Sequence, residues 1–121
     1  MTATEWFVGS KVWNGSSVYT AGGAKVTTGN ITILYVLDDI GTTKYLQDDL
    51  TTISATLNTI DIPYVAGIGA HAHLLTIPES FRGLRGEMVV VDTTSGFEHR
   101  ESFVVPQTGS PSGGNVVIIP D

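Results

Sequence analysis

The segment ITILYVL, residues 31–37, decides the fold class of this chain. Its side chains are β-branched, aliphatic or aromatic, and apolar residues fall on both alternating faces, as expected for a strand inside a sheet. The sequence DDIG follows at residues 38–41, and its aspartates and glycine are typical of a turn. The sequence therefore predicts a central β-strand that ends at a tight turn.

The two-residue periodicity continues outward from this segment. In residues 51–57, Ile53, Ala55 and Leu57 alternate with small polar residues, which is the pattern of a half-buried strand. The sequence TTSG at residues 93–96 predicts a short hairpin loop, because its glycine can adopt a positive φ. Beyond the central segment, strands are predicted at residues 44–47, 51–57, 70–77, 87–92 and 98–105.

The amino-terminal third adds a hairpin signal and the middle adds one helical signal. Asn14-Gly15 favours a two-residue turn that pairs residues 11–13 with residues 16–19. Pro78 can begin a single helical turn over residues 78–81. The sequence thus predicts an all-β fold, a single immunoglobulin-like β-sandwich of about seven short antiparallel strands with an extended C-terminal arm.

The length and the composition of the chain set its domain organisation. A chain of 121 residues has room for one core. We expect residues 1–105 to form the sandwich domain and residues 106–121 to form a Pro/Gly/Ser linker with an arm strand. The arm carries Val116, Val117, Ile118 and Ile119, which can pair with the parent sheet or with the exposed edge of a neighbour.

Charge and cysteine content exclude several classes of partner. Twelve acidic and six basic residues give a net charge of -6 with a pI near 4.8, so phosphate backbones are repelled and no nucleic acid is expected. The chain has no cysteine for disulfides or thiolate zinc sites. No basic, apolar leader and no run of about 18 apolar residues is present, so we expect cytoplasmic synthesis and no membrane partner.

The pattern His71-Ala72-His73 is the strongest candidate for metal chemistry, because residues i and i+2 of a strand share a face. Double-stranded cupin barrels carry a related pattern, and His99 could supply a third ligand. The spacing to Glu79 and the missing second histidine motif depart from that family. The alternative interpretation places His71 and His73 on the more polar face, and we expect no metal and no cofactor.

No other residue pattern indicates an enzyme. No serine lies in a G-x-S-x-G elbow. The acidic pairs at residues 38–39 and 48–49 flank turns, and neighbours on a strand point to opposite faces, so they are interpreted as solvated loop ends. The expected function is binding, with Trp6 and Trp13 as candidate interface anchors beside the arm.

Two segments carry a resemblance to known proteins. FVGSKVWNGS at residues 7–16 resembles a segment of small tailed-bacteriophage virion proteins. MVVVD at residues 88–92 and GFEHRESFVV at residues 96–105 are similar to the final hairpin of immunoglobulin-like phage domains. Residues 44–77 match no pattern that we can name.

The resemblance implies a structural virion protein that binds repetitively to capsid or tail subunits and forms a homo-oligomer in the assembled particle. A capsid decoration protein is the first expectation, and a tail, neck or baseplate subunit is the alternative. Two other classes stay open at this stage: a β-rich module that binds glycans or receptors through exposed aromatic residues, and a small cupin-like metalloenzyme.

Overall fold

The computed structural model describes residues 4–109 and the backbone of residues 116–118. Within those residues the regular structure consists of ten strands and a 3₁₀ turn at Glu79–Phe81, without an α-helix. The all-β prediction is therefore confirmed. The strands are β1 (Thr4–Glu5), β2 (Lys11–Ser16), β3 (Asn30–Asp39), β4 (Thr42–Leu46), β5 (Ile53–Ser54), β6 (Ile60–Val65), β7 (Ala70–Thr76), β8 (Arg85–Asp92), β9 (Phe97–Val104) and β10 (Val116–Ile118).

Strand β3 is the longest strand and has partners on both sides. Strand β8 pairs antiparallel along one side, while β6 and β4 pair with the first and second halves of the other side. Ile33, Tyr35 and Leu37 point into the core, and the alternate side chains between them are half-buried. The predicted central strand is confirmed, and it ends at the turn formed by Ile40 and Gly41.

Strand β6 connects the two halves of the sheet. Its residues 60–63 pair with β3, whereas Tyr64 and Val65 pair with β7. The strands consequently form one path in the order β1-β9-β8-β3-β6-β7-β2-β10, with β4 and β5 attached beside β3. The result is a curled open sheet. The immunoglobulin-like sandwich of about seven strands is not confirmed.

Aromatic rings fill the core between the two halves of the curled sheet. The ring of Trp6 stacks on the ring of Phe103 at a centroid distance of 4.3 Å. The ring of Phe81 also stacks on that of Phe103, at 5.8 Å. Trp6 also meets Tyr35 edge-on at 6.4 Å. Only 2% of the Trp6 surface is exposed. The prediction that Trp6 anchors a surface interface is wrong, because its ring is buried against Phe103 and Tyr35 in the core.

The C-terminal half follows the sequence prediction closely. The strands predicted at residues 44–47, 70–77, 87–92 and 98–105 correspond to β4, β7, β8 and β9. The loop at residues 93–96 joins β8 to β9, and Gly96 has the expected positive φ of 77°. The predicted helical turn is confirmed as the 3₁₀ turn that follows Pro78.

The predicted hairpin at Asn14-Gly15 is wrong. Strand β2 runs straight through both residues and pairs antiparallel with β7. Glycine is needed at position 15 for another reason: a Cβ atom there would lie 1.9 Å from the backbone oxygen of His71. This glycine therefore marks a close approach of two backbones within a sheet.

The region between β4 and β7 also differs from the prediction. Only Ile53–Ser54 of the predicted strand at residues 51–57 is a strand, and Leu57 is 66% exposed. Strand β6 was not predicted. It contains Pro63, and a proline within an alternating run argues against a strand, although this position lies where β6 turns from β3 to β7.

The C-terminal arm contributes the last strand. The backbone of Val116–Ile118 pairs parallel with β2, with Val117 opposite Trp13. Ile119 lies outside the described residues. Within the described part of the chain, no helix has the length and apolarity that crossing a membrane requires.

Candidate functional site

The buried side chains of Asn14 and Tyr35 meet the half-buried side chain of His73, and we call these three residues the Tyr35 cluster. Asn14 and His73 are register partners on β2 and β7, so both point to the same side of the sheet. Tyr35 reaches them from β3. Asn14 Nδ2 donates to the Tyr35 hydroxyl at 2.9 Å, and that hydroxyl lies 2.6 Å from His73 Nε2. The cluster therefore links the two halves of the curled sheet.

The protonation states in the cluster follow from burial. Burial lowers the pKa of His73 from its usual value to about 4, so the imidazole is neutral near pH 7. Burial raises the pKa of Tyr35 far above its usual range, against the smaller lowering effect of the hydrogen bond from Asn14. The Tyr35 hydroxyl accepts from Asn14 and lies within hydrogen-bond distance of Nε2 of the neutral His73 ring. The cluster is a chain of hydrogen bonds between neutral groups.

His71 occupies a separate buried site. Its Nε2 lies 3.2 Å from the carbonyl oxygens of Thr28 and Gly29, which can only accept, so this nitrogen carries the proton. Its ring meets Tyr64 edge-on at 5.5 Å. These hydrogen bonds from His71 attach the segment that precedes β3 to strand β7. The interpretation that His71 and His73 lie on a polar face is wrong, since both point inward, and Ala72 on the other face is buried as well.

The three histidines do not converge on one point. His99 lies on β9, where its Nε2 is 3.3 Å from Glu101, while His71 and His73 lie on β7. The structure contains no group of three or more metal-ligating side chains placed to hold an ion, as far as its described residues extend. Nε2 of His71 already has carbonyl partners, and Nε2 of His73 has the Tyr35 hydroxyl as its partner.

The paired aspartates stabilise turns. Asp38 accepts from the Gly41 backbone N–H at 2.8 Å, and Asp39 forms an ion pair with Lys44 at 2.8 Å. Asp48 accepts from an asparagine side chain at 3.0 Å. Hydrogen bonds from Thr52 lower the pKa of Asp49 to about 2. Each carboxylate is oriented by its own turn, which does not favour a shared acid–base pair.

The tip of the β3–β4 hairpin presents an exposed apolar side chain. Ile40 and Gly41 form the two-residue loop, with φ angles of 50° and 82°. Ile40 is 96% exposed. Sequence reasoning identified the turn but not this side chain. The available signal was a β-branched residue directly before the turn glycine, where asparagine, aspartate or glycine is usual.

A groove of about 450 Å³ lies beside the same hairpin on the outer face of the sheet. Val36, Asp38 and Thr43 line it from β3 and β4, and Arg85 and Val104 line it from β8 and β9. Arg85 is exposed and forms no ion pair with any described carboxylate. The hairpin therefore places an apolar protrusion and an open groove next to each other.

The outer margin of β9 carries charges. Strand β1 pairs only with its last two residues, so residues 97–102 have no strand partner on this side within the described chain. Arg100 bonds Glu98 and Glu87 at 2.5 and 2.7 Å. Charged side chains on an open margin disfavour unselective strand pairing. This edge is thus a weaker candidate for docking than its length suggests.

The candidate interface residues are only partly brought together. Trp13 is half-buried on β2, directly opposite Val117 of the arm strand. Trp6 lies apart from them in the core. The β2–β10 pair and the hairpin tip are separate surfaces, because the strand path places β6 and β7 between β3 and β2.

Comparison of the chain with protein-family models, with curated proteins and with solved structures finds no match.

Proposed function

We propose that this protein is a structural subunit of a tailed-bacteriophage virion that binds repetitively to other subunits, with capsid decoration as its role. The resemblance of residues 7–16 and 83–105 to virion proteins supports this setting. The proposal includes the fold: we interpret the curled sheet as an open form of the immunoglobulin-like sandwich that the resemblance implies.

The observation that carries the proposal is the pairing of the C-terminal arm. Strand β10, the three residues of the arm strand that the structure describes, covers the margin of β2 in parallel orientation. The sequence that leads to it, residues 106–115, is rich in proline, glycine, serine and threonine. A strand that follows such a linker sequence is well suited to exchange between subunits.

Exchange of the arm keeps the native hydrogen bonds. An identical arm from a neighbouring copy offers β2 the same backbone groups in the same register, so the free-energy difference between the two pairings is small. A high local density of copies on a particle then favours exchange by mass action. Repetition of this step links subunits without any catalytic chemistry.

Cysteine pairing tests the exchange, since the chain has no cysteine of its own. Val12→Cys and Val116→Cys place thiols at register partners of β2 and β10. The two single variants are mixed as assembled full-length protein and oxidised, and the linked species are identified by mass spectrometry. We expect a mixed disulfide between a Val12→Cys chain and a Val116→Cys chain.

The matched control replaces Val12→Cys with Thr93→Cys, an exposed position in the loop between β8 and β9. Disulfide formation between the Thr93→Cys chain and the Val116→Cys chain measures the rate of linkage by random collision. The double variant, which carries both Val12→Cys and Val116→Cys, shows whether the disulfide forms within one chain. The proposal fails if this variant forms the disulfide within single chains while the mixed disulfide between chains forms no faster than in the control. The virion setting is tested by gene order: flanking capsid, portal or tail genes support it, and a flanking metabolic operon contradicts it.

A further inference from the structure

We infer that Asn14-Gly15 is a deamidation site that is closed in the folded chain and opens when strand β2 leaves the sheet. The reaction needs only this chain and water. The Gly15 backbone nitrogen loses its proton and attacks the side-chain carbonyl carbon of Asn14, ammonia leaves, and a five-membered succinimide ring remains. Water then opens the ring at either carbonyl, which gives aspartate or isoaspartate at position 14. This inference goes beyond the proposed function and does not depend on it.

The sequence confines the reaction to one position. The chain has four asparagines, and glycine follows only Asn14. Asn30, Asn58 and Asn115 precede isoleucine, threonine and valine. A β-branched side chain crowds the attacking nitrogen and restricts its backbone, whereas glycine does neither. Asn14 is therefore the asparagine that the unfolded chain should deamidate first.

The backbone of the folded chain blocks ring closure. Asn14 and Gly15 lie inside β2, in register with His73 and Ala72 of β7. A strand holds its residues extended, and ring closure requires Asn14 to rotate out of that conformation. The pairing of β2 with β7 prevents this rotation for as long as the sheet is intact.

The surroundings of the Asn14 side chain block the reaction as well. The residue is fully buried, so water cannot supply the proton that the departing amide needs. Its Nδ2 donates to the Tyr35 hydroxyl at 2.9 Å, which fixes the amide in place. Its Oδ1 has no hydrogen-bond donor among the described residues, so no group polarises the carbonyl for attack. The site is therefore closed by the same contacts that form the Tyr35 cluster.

The products of deamidation do not fit the folded structure. Aspartate at position 14 would bury a carboxylate, and an ionised carboxylate cannot donate the hydrogen bond that Tyr35 receives from Asn14. Isoaspartate adds one carbon atom to the main chain, which breaks the register where Gly15 lies against the backbone of His71. Opening of β2 followed by deamidation is thus a one-way step, after which the chain does not regain its native sheet.

Peptide mapping of the full chain tests the inference. One sample is kept folded in mildly alkaline buffer, and a second is kept unfolded by guanidinium chloride in the same buffer. Trypsin places the four asparagines in four different peptides, with Asn14 in the peptide of residues 12–25. The peptide mass reports the replacement of NH₂ by OH, and a zero-time sample corrects for reaction during digestion. We expect Asn14 to react at least about a hundredfold more slowly in the folded chain, because its rate follows the small fraction of chains in which β2 is open.

The matched control is Ile40→Asn, which creates a second asparagine before a glycine. This new site lies beside Gly41 in the exposed β3–β4 loop. In the unfolded chain it should deamidate about as fast as Asn14, since glycine is the attacking residue at both sites. In the folded chain the new site should react well before Asn14. The comparison separates the effect of the fold from the effect of the local sequence.

Refolding provides a second measurement. The wild-type chain is partly deamidated in denaturant and then diluted into native buffer, and the folded fraction is isolated by size exclusion. We expect that fraction to contain unmodified Asn14 and the remaining fraction to contain the modified chains.

Three results would overturn the inference. The first is an Asn14 that reacts as fast in the folded chain as in the unfolded one. The second is an unfolded chain in which Asn30 or Asn58 reacts as fast as Asn14. The third is a folded fraction that contains modified and unmodified chains in the proportion present before dilution.

Discussion

The hydroxyl oxygen of Tyr35 lies 2.6 Å from Nε2 of His73, and this contact joins strands that are not neighbours in the sheet. With Asn14 on the other side of the hydroxyl, it fixes how the β3 half of the curled sheet faces the β2–β7 half. Aromatic packing alone tolerates some sliding, whereas a buried hydrogen bond has one geometry. The cluster therefore specifies the closure of the sheet.

Tyr35→Phe should destabilise the fold by about 1–3 kcal/mol, because it leaves the buried amide of Asn14 and the imidazole of His73 without a partner. The free energy of unfolding in urea measures this loss. Tyr64→Phe is the control, since no hydrogen bond to the Tyr64 hydroxyl is found among the described residues. Equal effects of the two substitutions would show that the Tyr35 hydroxyl has no special role.

Stability should fall in mild acid because of His73. Its pKa is lowered from 6.5 to about 4 in the folded state. Between pH 6.5 and pH 4 the unfolded chain therefore binds a proton at His73 that the folded chain does not bind. The contribution of the neutral His73 side chain to the free energy of unfolding is fully present above about pH 6.5, and it is lost progressively as the pH falls to 4. The full size of this contribution is at most about 3.5 kcal/mol, from about 1.4 kcal/mol for each pKa unit. Urea unfolding at intervals from pH 4 to pH 7.5 measures the slope.

The substitution that isolates this effect is His73→Gln, which keeps a polar side chain at the site but removes the titration. We expect a flatter pH profile in His73→Gln than in the wild type. A wild-type slope in His73→Gln would assign the acid sensitivity to other groups.

How much of this fold is predictable depends on whether a signal is local. The central strand and the β8–β9 hairpin were predicted because alternation and a turn glycine lie within a few residues. The hairpin at Asn14-Gly15 was predicted from an equally strong local signal and is wrong. Glycine is needed at position 15 because the backbone of His71, which is distant in sequence, passes close to it. A rule based on neighbouring residues does not detect this contact between β2 and β7.

The candidate sites show the same limit. His71 and His73 were correctly expected to share a face, but burial on both faces of β7 concealed which face meets the core. The role of the Tyr35 hydroxyl depends on strands β2 and β7 lying opposite β3, which follows from the switch of β6 between the sheet halves. Pro63 argues against a strand at β6, and β6 is the strand that connects the two halves of the sheet. This connection could therefore not be predicted from the sequence.

Gly15→Ala should prevent normal folding or cost more than about 3 kcal/mol, because the new methyl group would meet backbone atoms that cannot rotate away. The measurement is the midpoint of thermal unfolding by circular dichroism. Gly67→Ala is the control: no atom lies within 4 Å of its added Cβ, so a small change is expected. A Gly15→Ala protein as stable as Gly67→Ala would mean that β2 and β7 can separate at this point without loss.

Ile40→Asn should stabilise the fold of the single chain. Asparagine tolerates the left-handed conformation that Ile40 adopts at φ 50°, and Asn-Gly is the favoured sequence for a loop with two positive φ angles. Relief of the strain is worth about 1 kcal/mol. Thermal unfolding at a concentration where the wild type is monomeric measures the gain. Leu57→Asn lacks a positive φ and should leave the midpoint unchanged. A lower midpoint for Ile40→Asn would show instead that the isoleucine side chain packs within its own chain.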